Sequence, residues 1–151
     1  MDVKYINPFL SAVKNVFETM IDVPYTLGKP SIKKDQTSSF EISGIIGISG
    51  EITGCIVMSF PETIALELAS ALLGETMDKV NSDCTDAIGE IANMVAGDAK
   101  RDFPERNTTI SVPSVVLGMH RIAFPKGVPI ISIPCKTGKG SFAIDVAIKM
   151  A

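Results

Sequence analysis

The chain is 151 residues long, 46% apolar and 21% charged, with a formal net charge of −3. That composition suits a single folded domain over residues 1–151 with a real apolar core, and it excludes a disordered chain. The acidic balance argues against a nucleic-acid partner, whose phosphates demand a basic face. No apolar run reaches the roughly 18 residues that a membrane span needs.

The first residues, Met1-Asp2-Val3-Lys4-Tyr5, lack the basic-then-apolar order of a secretion signal, so a cytoplasmic location is expected. Three cysteines, Cys55, Cys84 and Cys135, are odd in number and far apart. They read as reduced thiols packed as small apolar residues. The one histidine, His120, stands in no cluster of ligand residues. That leaves neither a metal centre, which needs at least three clustered ligands, nor a His-centred triad.

A first helix is expected from Asn7-Pro8, with Asn as cap and Pro at the first helical position. Leu10, Val13, Phe17 and Met20 or Ile21 make its apolar stripe, and Pro24 and Gly28-Lys29-Pro30 break the pattern. From Ser38 the chain turns β-like: Phe40, Ile42, Ile46 and Ile48 alternate, Ser49-Gly50-Glu51 is a turn, and Ile52, Cys55, Val57 and Phe60 return. A second helix from Pro61-Glu62 to Leu73, stopped by Gly74, is apolar nearly all round and should be largely buried. A third helix spans about Val80 to Phe103, ended by Pro104. Strands are expected over Thr109–Leu117, Pro129–Pro134 and Ser141–Lys149, with a turn at Lys136–Gly140. Residues 50–57 align loosely with residues 138–145, which suggests a weak internal duplication of a helix–sheet unit. The fold class is α+β, with helices packed on a mainly antiparallel sheet.

The third helix carries a polar ridge. At about 100° per residue, Asp86, Glu90, Asn93 and Gly97 form one ridge, and Cys84, Ile88, Ile91, Ala92, Val95 and Ala99 centre almost opposite. Spacing alone also fits an ordinary solvated helix face. Two details point further. Asn is a poor mid-helix residue. Gly97 costs about 1 kcal/mol relative to Ala inside a helix and would let another backbone come close.

Glu90-x-x-Asn93, with Asp86 four residues before the Glu, resembles the signature of the CheC/CheX/FliY chemotaxis phosphatases. Tyr5-Ile6-Asn7-Pro8-Phe9, Phe60-Pro61-Glu62-Thr63 and Ala69–Gly74 extend the likeness to the CheX type over nearly the whole chain. The first helix offers only Ser11, Lys14 and Asn15, so a single site is expected, as in CheX rather than CheC. Pro113 follows Asn93 sooner than the family's proline does and is given no catalytic role.

The resemblance implies a phosphatase acting on the aspartyl phosphate of a CheY-like response regulator. Such a reaction is mostly positioning and electrostatics. A carboxamide can accept from the attacking water and donate to the phosphoryl group, which suits Asn93. Glu90 would pair with the regulator's active-site lysine, since an exposed carboxylate is a weak base at neutral pH. Asp86 and Gly97 would border the interface. No cofactor of its own is implied, the Mg²⁺ being the regulator's. The rival expectation is a non-catalytic regulator-binding or flagellar-switch module. A homodimer formed by sheet pairing is expected from the resemblance, from the apolar run Ile45–Ile48 and from the apolar second helix.

Overall fold

A computed structural model describes residues 3–33 and 40–151. The expected β onset at Ser38 lies outside them. Three helices cover one face of an antiparallel sheet: α1 (Val3–Val16), α2 (Glu62–Leu73) and α3 (Ser82–Lys100). The strands are β1 (Tyr25–Leu27), β2 (Ser31–Lys33), β3 (Ile42–Gly50), β4 (Ile52–Phe60), β5 (Thr108–Ile110), β6 (Ser114–Leu117), β7 (Ile130–Thr137) and β8 (Gly140–Met150). β1 and β2 share one edge against β7, followed by β8, β4 and β3, and β5 and β6 share the other edge against β3. The expected α+β class is the fold seen.

Helix α1 starts at Val3, earlier than its Asn-Pro signal suggested, and contains Pro8. Proline removes one helical donor. Burial offsets that loss: Tyr5, Ile6 and Phe9 all pack inward, and the Tyr5 ring meets Phe103 edge-on at 5.7 Å. After Val16 the helix widens into a π-turn, Phe17–Ile21, closed by Asp22 N–H donating to the Phe17 carbonyl at 2.8 Å. The extra residue in that turn keeps Phe17 and Ile21 inside and leaves Met20 51% exposed.

Helix α2 ends as expected, with Gly74 in the left-handed region at φ 71°. Only its Ile64, Ala65, Leu68 and Ala69 face is fully buried, and Leu73 is exposed, so the nearly all-round apolar pattern is half used. Helix α3 is capped by Asn81, whose Oδ1 accepts from the Cys84 N–H at 3.0 Å. Its Ile88, Ile91 and Val95 have no solvent exposure, worth about 1.5–3 kcal/mol each at the upper limit.

β3 is paired on both sides, by β4 and by β5 and β6, so Ile45–Ile48 is not an exposed edge. The expected strand Thr109–Leu117 is interrupted at residues 111–113. Ile48 faces Ile110 and Ile45 faces Ser114, which leaves one extra residue on the outer strand, a bulge. Pro113 falls in that interruption, where a missing donor costs nothing to the ladder.

The internal duplication is visible in the register. A pseudo-twofold axis passes between β4 and β8 through the facing pair Val57 and Asp145, the last residues of the two stretches aligned from sequence. The axis exchanges hairpin β3–β4 with hairpin β7–β8, and each half lends its broken strand to the other half's hairpin. Leu27 opposite Cys135 matches Ile110 opposite Ile48, and Ser31 opposite Ser132 matches Ser114 opposite Ile45. On the same correspondence Pro30 and Pro113 fall at equivalent positions of the two broken strands.

Candidate functional site

The ridge of α3 is set by close packing beneath it. The helix lies so near β3 that a Cβ on Gly44 would stand 3.1 Å from the Cβ of Ala92. On the turn before Glu90, Gly89 abuts the Pro113 ring, which a Cβ there would approach to 3.4 Å. Pro113 therefore supports the helix from behind rather than facing the ridge. The N-terminal Asp83 and C-terminal Lys100 both complement the helix dipole.

Asp86 and Glu90 are exposed, as expected. Asn93 and Gly97 are only half-exposed, because α1 and its π-turn rise beside them. Between the two helices runs an open groove of about 400 Å³. Asn15, Thr19 and Met20 line one wall, and Asn93, Gly97 and Arg101 line the other. Among the described residues no side chain hydrogen-bonds or ion-pairs with Glu90 or Asn93, so both keep their capacity for an incoming group. Farther along, Asp98 is held twice. Asn15 Nδ2 donates to its Oδ2 at 3.2 Å, and Arg101 pairs with its Oδ1. Sequence reading named neither Asn15, Thr19 and Met20 nor Asp98 and Arg101 as groove residues. Arg101 lies on the Asp86–Gly97 ridge by helical spacing, which is the one signal that could have found it.

Matching the buried residues Phe9, Ala12, Val13 and Val16 of α1 with Ile88, Ile91, Ala92 and Val95 of α3 sets Ser11 against Glu90 and Lys14 against Asn93. The duplicated helix thus carries no Glu–Asn pair of its own.

The other polar groups have structural roles. Ser43 Oγ lies 2.8 Å from His120 Nε2 and 3.0 Å from Ser59 Oγ, while His120 Nδ1 meets the Gly118 carbonyl at 2.7 Å. Among the described residues no carboxylate orients that ring, and Ser43 is fully buried, so the pair ties residues 118–120 to the sheet. Burial pushes the Cys135 thiol up to about 12, and burial with the nearby Asp145 charge pushes Cys55 up to about 11. Both remain protonated and unreactive at neutral pH. Among the described residues no three His, Cys, Asp or Glu side chains gather as a metal site. Among the described residues no helix is long and apolar enough to cross a membrane.

The family profile described as Chemotaxis phosphatase CheX matches residues 42–136. The CheY-P phosphatase CheX of Thermotoga maritima is 29% identical over 121 residues, 78% of each chain. The solved structure of a CheC-like superfamily protein from Shewanella sp. PV-4 superposes with a TM-score of 0.89 at 34% identity, covering 99% of both chains. The CheX–CheY–BeF3–Mg2+ complex from Borrelia burgdorferi superposes with a TM-score of 0.81 at 26% identity, covering 96% of this chain and 97% of that one.

Proposed function

The chain belongs to the chemotaxis phosphatase CheX family, and from that membership we propose that it removes the phosphoryl group from the active-site aspartate of a CheY-like response regulator. The observation that carries the site assignment is the Glu90–Asn93 pair, unpartnered among the described residues, on a helix whose opposite face is buried. Packing along the opposite face holds the helix backbone in place, so the pair is presented to a partner's cleft from a fixed element.

Asn93 is the catalytic residue. Its amide oxygen accepts from a water, and its NH₂ donates to the phosphoryl group, which sets the water in line with the leaving carboxylate. Glu90, one turn earlier, meets the regulator's active-site lysine and becomes a desolvated charge pair on docking. Asp86 borders the contact, and Gly97 leaves room for the partner's backbone. The divalent ion belongs to the regulator, and the protein supplies no cofactor. The one domain works in the cytoplasm, where response regulators are found. A homodimer formed through a sheet edge completes the reading. The open edge at β6, with Leu117 51% exposed and Met119 fully exposed, favours that contact over the interior strand β3.

The test is phosphate release from a phosphorylated receiver domain. Asn93→Ala lowers the stimulated rate by about 100-fold or more while leaving affinity for the BeF3-activated receiver nearly intact. Glu90→Ala weakens binding, or binding and turnover together. Full activity in Asn93→Ala would falsify the mechanism.

A further inference from the structure

We propose that Arg101 is a second docking point for the same receiver domain, meeting an acidic side chain on the rim of the receiver's active site. This rests on the phosphatase reading above. Arg101 is the C-cap of α3 and keeps helical geometry, φ −61° and ψ −26°. It therefore continues the ridge, about 16 Å beyond Glu90 and about 12 Å beyond Asn93 along the axis at 1.5 Å per residue. Between Asn93 and Arg101 the ridge carries Gly97, which has no side chain.

The guanidinium is poised for a partner. Its side chain is 73% exposed, whereas Asp98, which tethers it, is 14% exposed and is held from the other wall by Asn15. One carboxylate occupies only part of a five-donor fork, so further N–H groups stay free to donate on a residue that lines the groove. The pair asks little of Arg101 in the fold, because its guanidinium is mostly solvated and water screens the attraction. Lys100 already supplies the cation that favours a helix C-terminus.

The order of charge along the ridge has a directional meaning. Asp86 and Glu90 stand at one end, neutral Asn93 and bare Gly97 in the middle, and Arg101 at the other. A receiver that offers its lysine to Glu90 and a carboxylate to Arg101 is accepted in one orientation only. Reversed end for end, it meets like charges at both points. Charges arranged this way set register and encounter rate more than the chemical step. Arg101 is thus a specificity-determining residue that keeps the amide of Asn93 over the phosphoryl group.

The test measures KM and kcat for phosphate release from a CheY-like receiver domain phosphorylated with a small acyl phosphate, at low and moderate salt. Arg101→Glu raises KM by about tenfold or more at low salt, leaves kcat within about twofold and flattens the salt dependence of kcat/KM. Arg101→Lys restores most of KM, and Arg101→Gln, which retains an amide donor for Asp98, falls between. Lys126→Glu makes the same charge change on an exposed loop and leaves KM at the wild-type value. A KM for Arg101→Glu equal to that of wild type or of Lys126→Glu overturns the proposal, as does a fall in kcat at constant KM. If Arg101→Glu melts early, Arg101→Gln decides by the same criterion. An active Asn93→Ala variant refutes the underlying phosphatase mechanism. A dead Asn93→Ala beside an unaffected Arg101→Glu refutes only the second docking point.

Discussion

Gly97 sits in the body of α3, where glycine is a cost to the helix, and packing inside the molecule does not explain it. A Cβ placed there would meet only the Ile110 Cδ1 atom, at an ordinary 3.9 Å. Alanine therefore fits the folded chain and gains up to about 1 kcal/mol of helix propensity. On the proposed docking, the residue that suits the partner is not the one that suits the fold, a conflict expected at binding surfaces. Gly97→Ala should raise the thermal midpoint and at the same time weaken receiver binding, because its methyl group fills the approach between Asn93 and Arg101. A melt paired with phosphate-release kinetics decides the matter. A variant that is both more stable and fully active removes Gly97 from the interface.

At the scale of elements, the position of α3 on the sheet determines where Glu90 and Asn93 stand. Gly44 leaves room for Ala92 only because it lacks a Cβ, and Gly89, the residue before Glu90, rests against Pro113. Gly44→Val pushes branched carbons into a gap where even a Cβ would stand 3.1 Å from that of Ala92, costs about 1–3 kcal/mol in urea unfolding and displaces the ridge. Its activity at a temperature where it is fully folded should fall well below wild type; an unchanged rate would mean that the seat of α3 does not set the site. Much of this was legible in the sequence. The hairpin β3–β4 shows itself by its β-branched residues around Ser49-Gly50-Glu51, and α3 by a clear apolar face and Pro104. β1 and β2 were not legible, because three residues on either side of Gly28-Lys29-Pro30 are too short to show a period, and pairing with β7 makes them strands. The start of α1 was misread because Asn7-Pro8 satisfies every local rule for a helix start while tertiary contacts of Tyr5 extend the helix behind it. The π-turn shifts the phase of the stripe after Val16, so Met20 leaves the core and enters the groove. Glu90 and Asn93 share one helix and could be read from spacing and resemblance. The facing wall comes from residues far away in the chain, which no local pattern connects.

Across the whole molecule, the exchange of edge strands makes each half of the sheet depend on the other. β2 belongs to the first half but is paired with β7 of the second. Its Lys33 reaches across to Asp145 on β8, the residue beside the pseudo-axis, with Nζ 2.8 Å from Oδ2 and side chains only 13% and 4% exposed. Asp145 is costly to bury, and its other oxygen, Oδ1, has no partner among the described residues. The lysine therefore compensates a charge and ties the edge to the centre of the sheet. Lys33→Met leaves that carboxylate buried and uncompensated, and should lower the unfolding free energy by about 3–5 kcal/mol. The double change Lys33→Met with Asp145→Val removes the orphaned charge as well and should recover most of the loss, since a buried ion pair is seldom more stable than apolar residues of similar volume. Urea titrations followed by circular dichroism separate these outcomes. Equal destabilisation in the single and double variants would show that the methionine disturbs the packing of β2 itself, not that the charge has been left alone. Because the halves share their edges, the single variant should also unfold in one transition, with no plateau in which one hairpin survives the other.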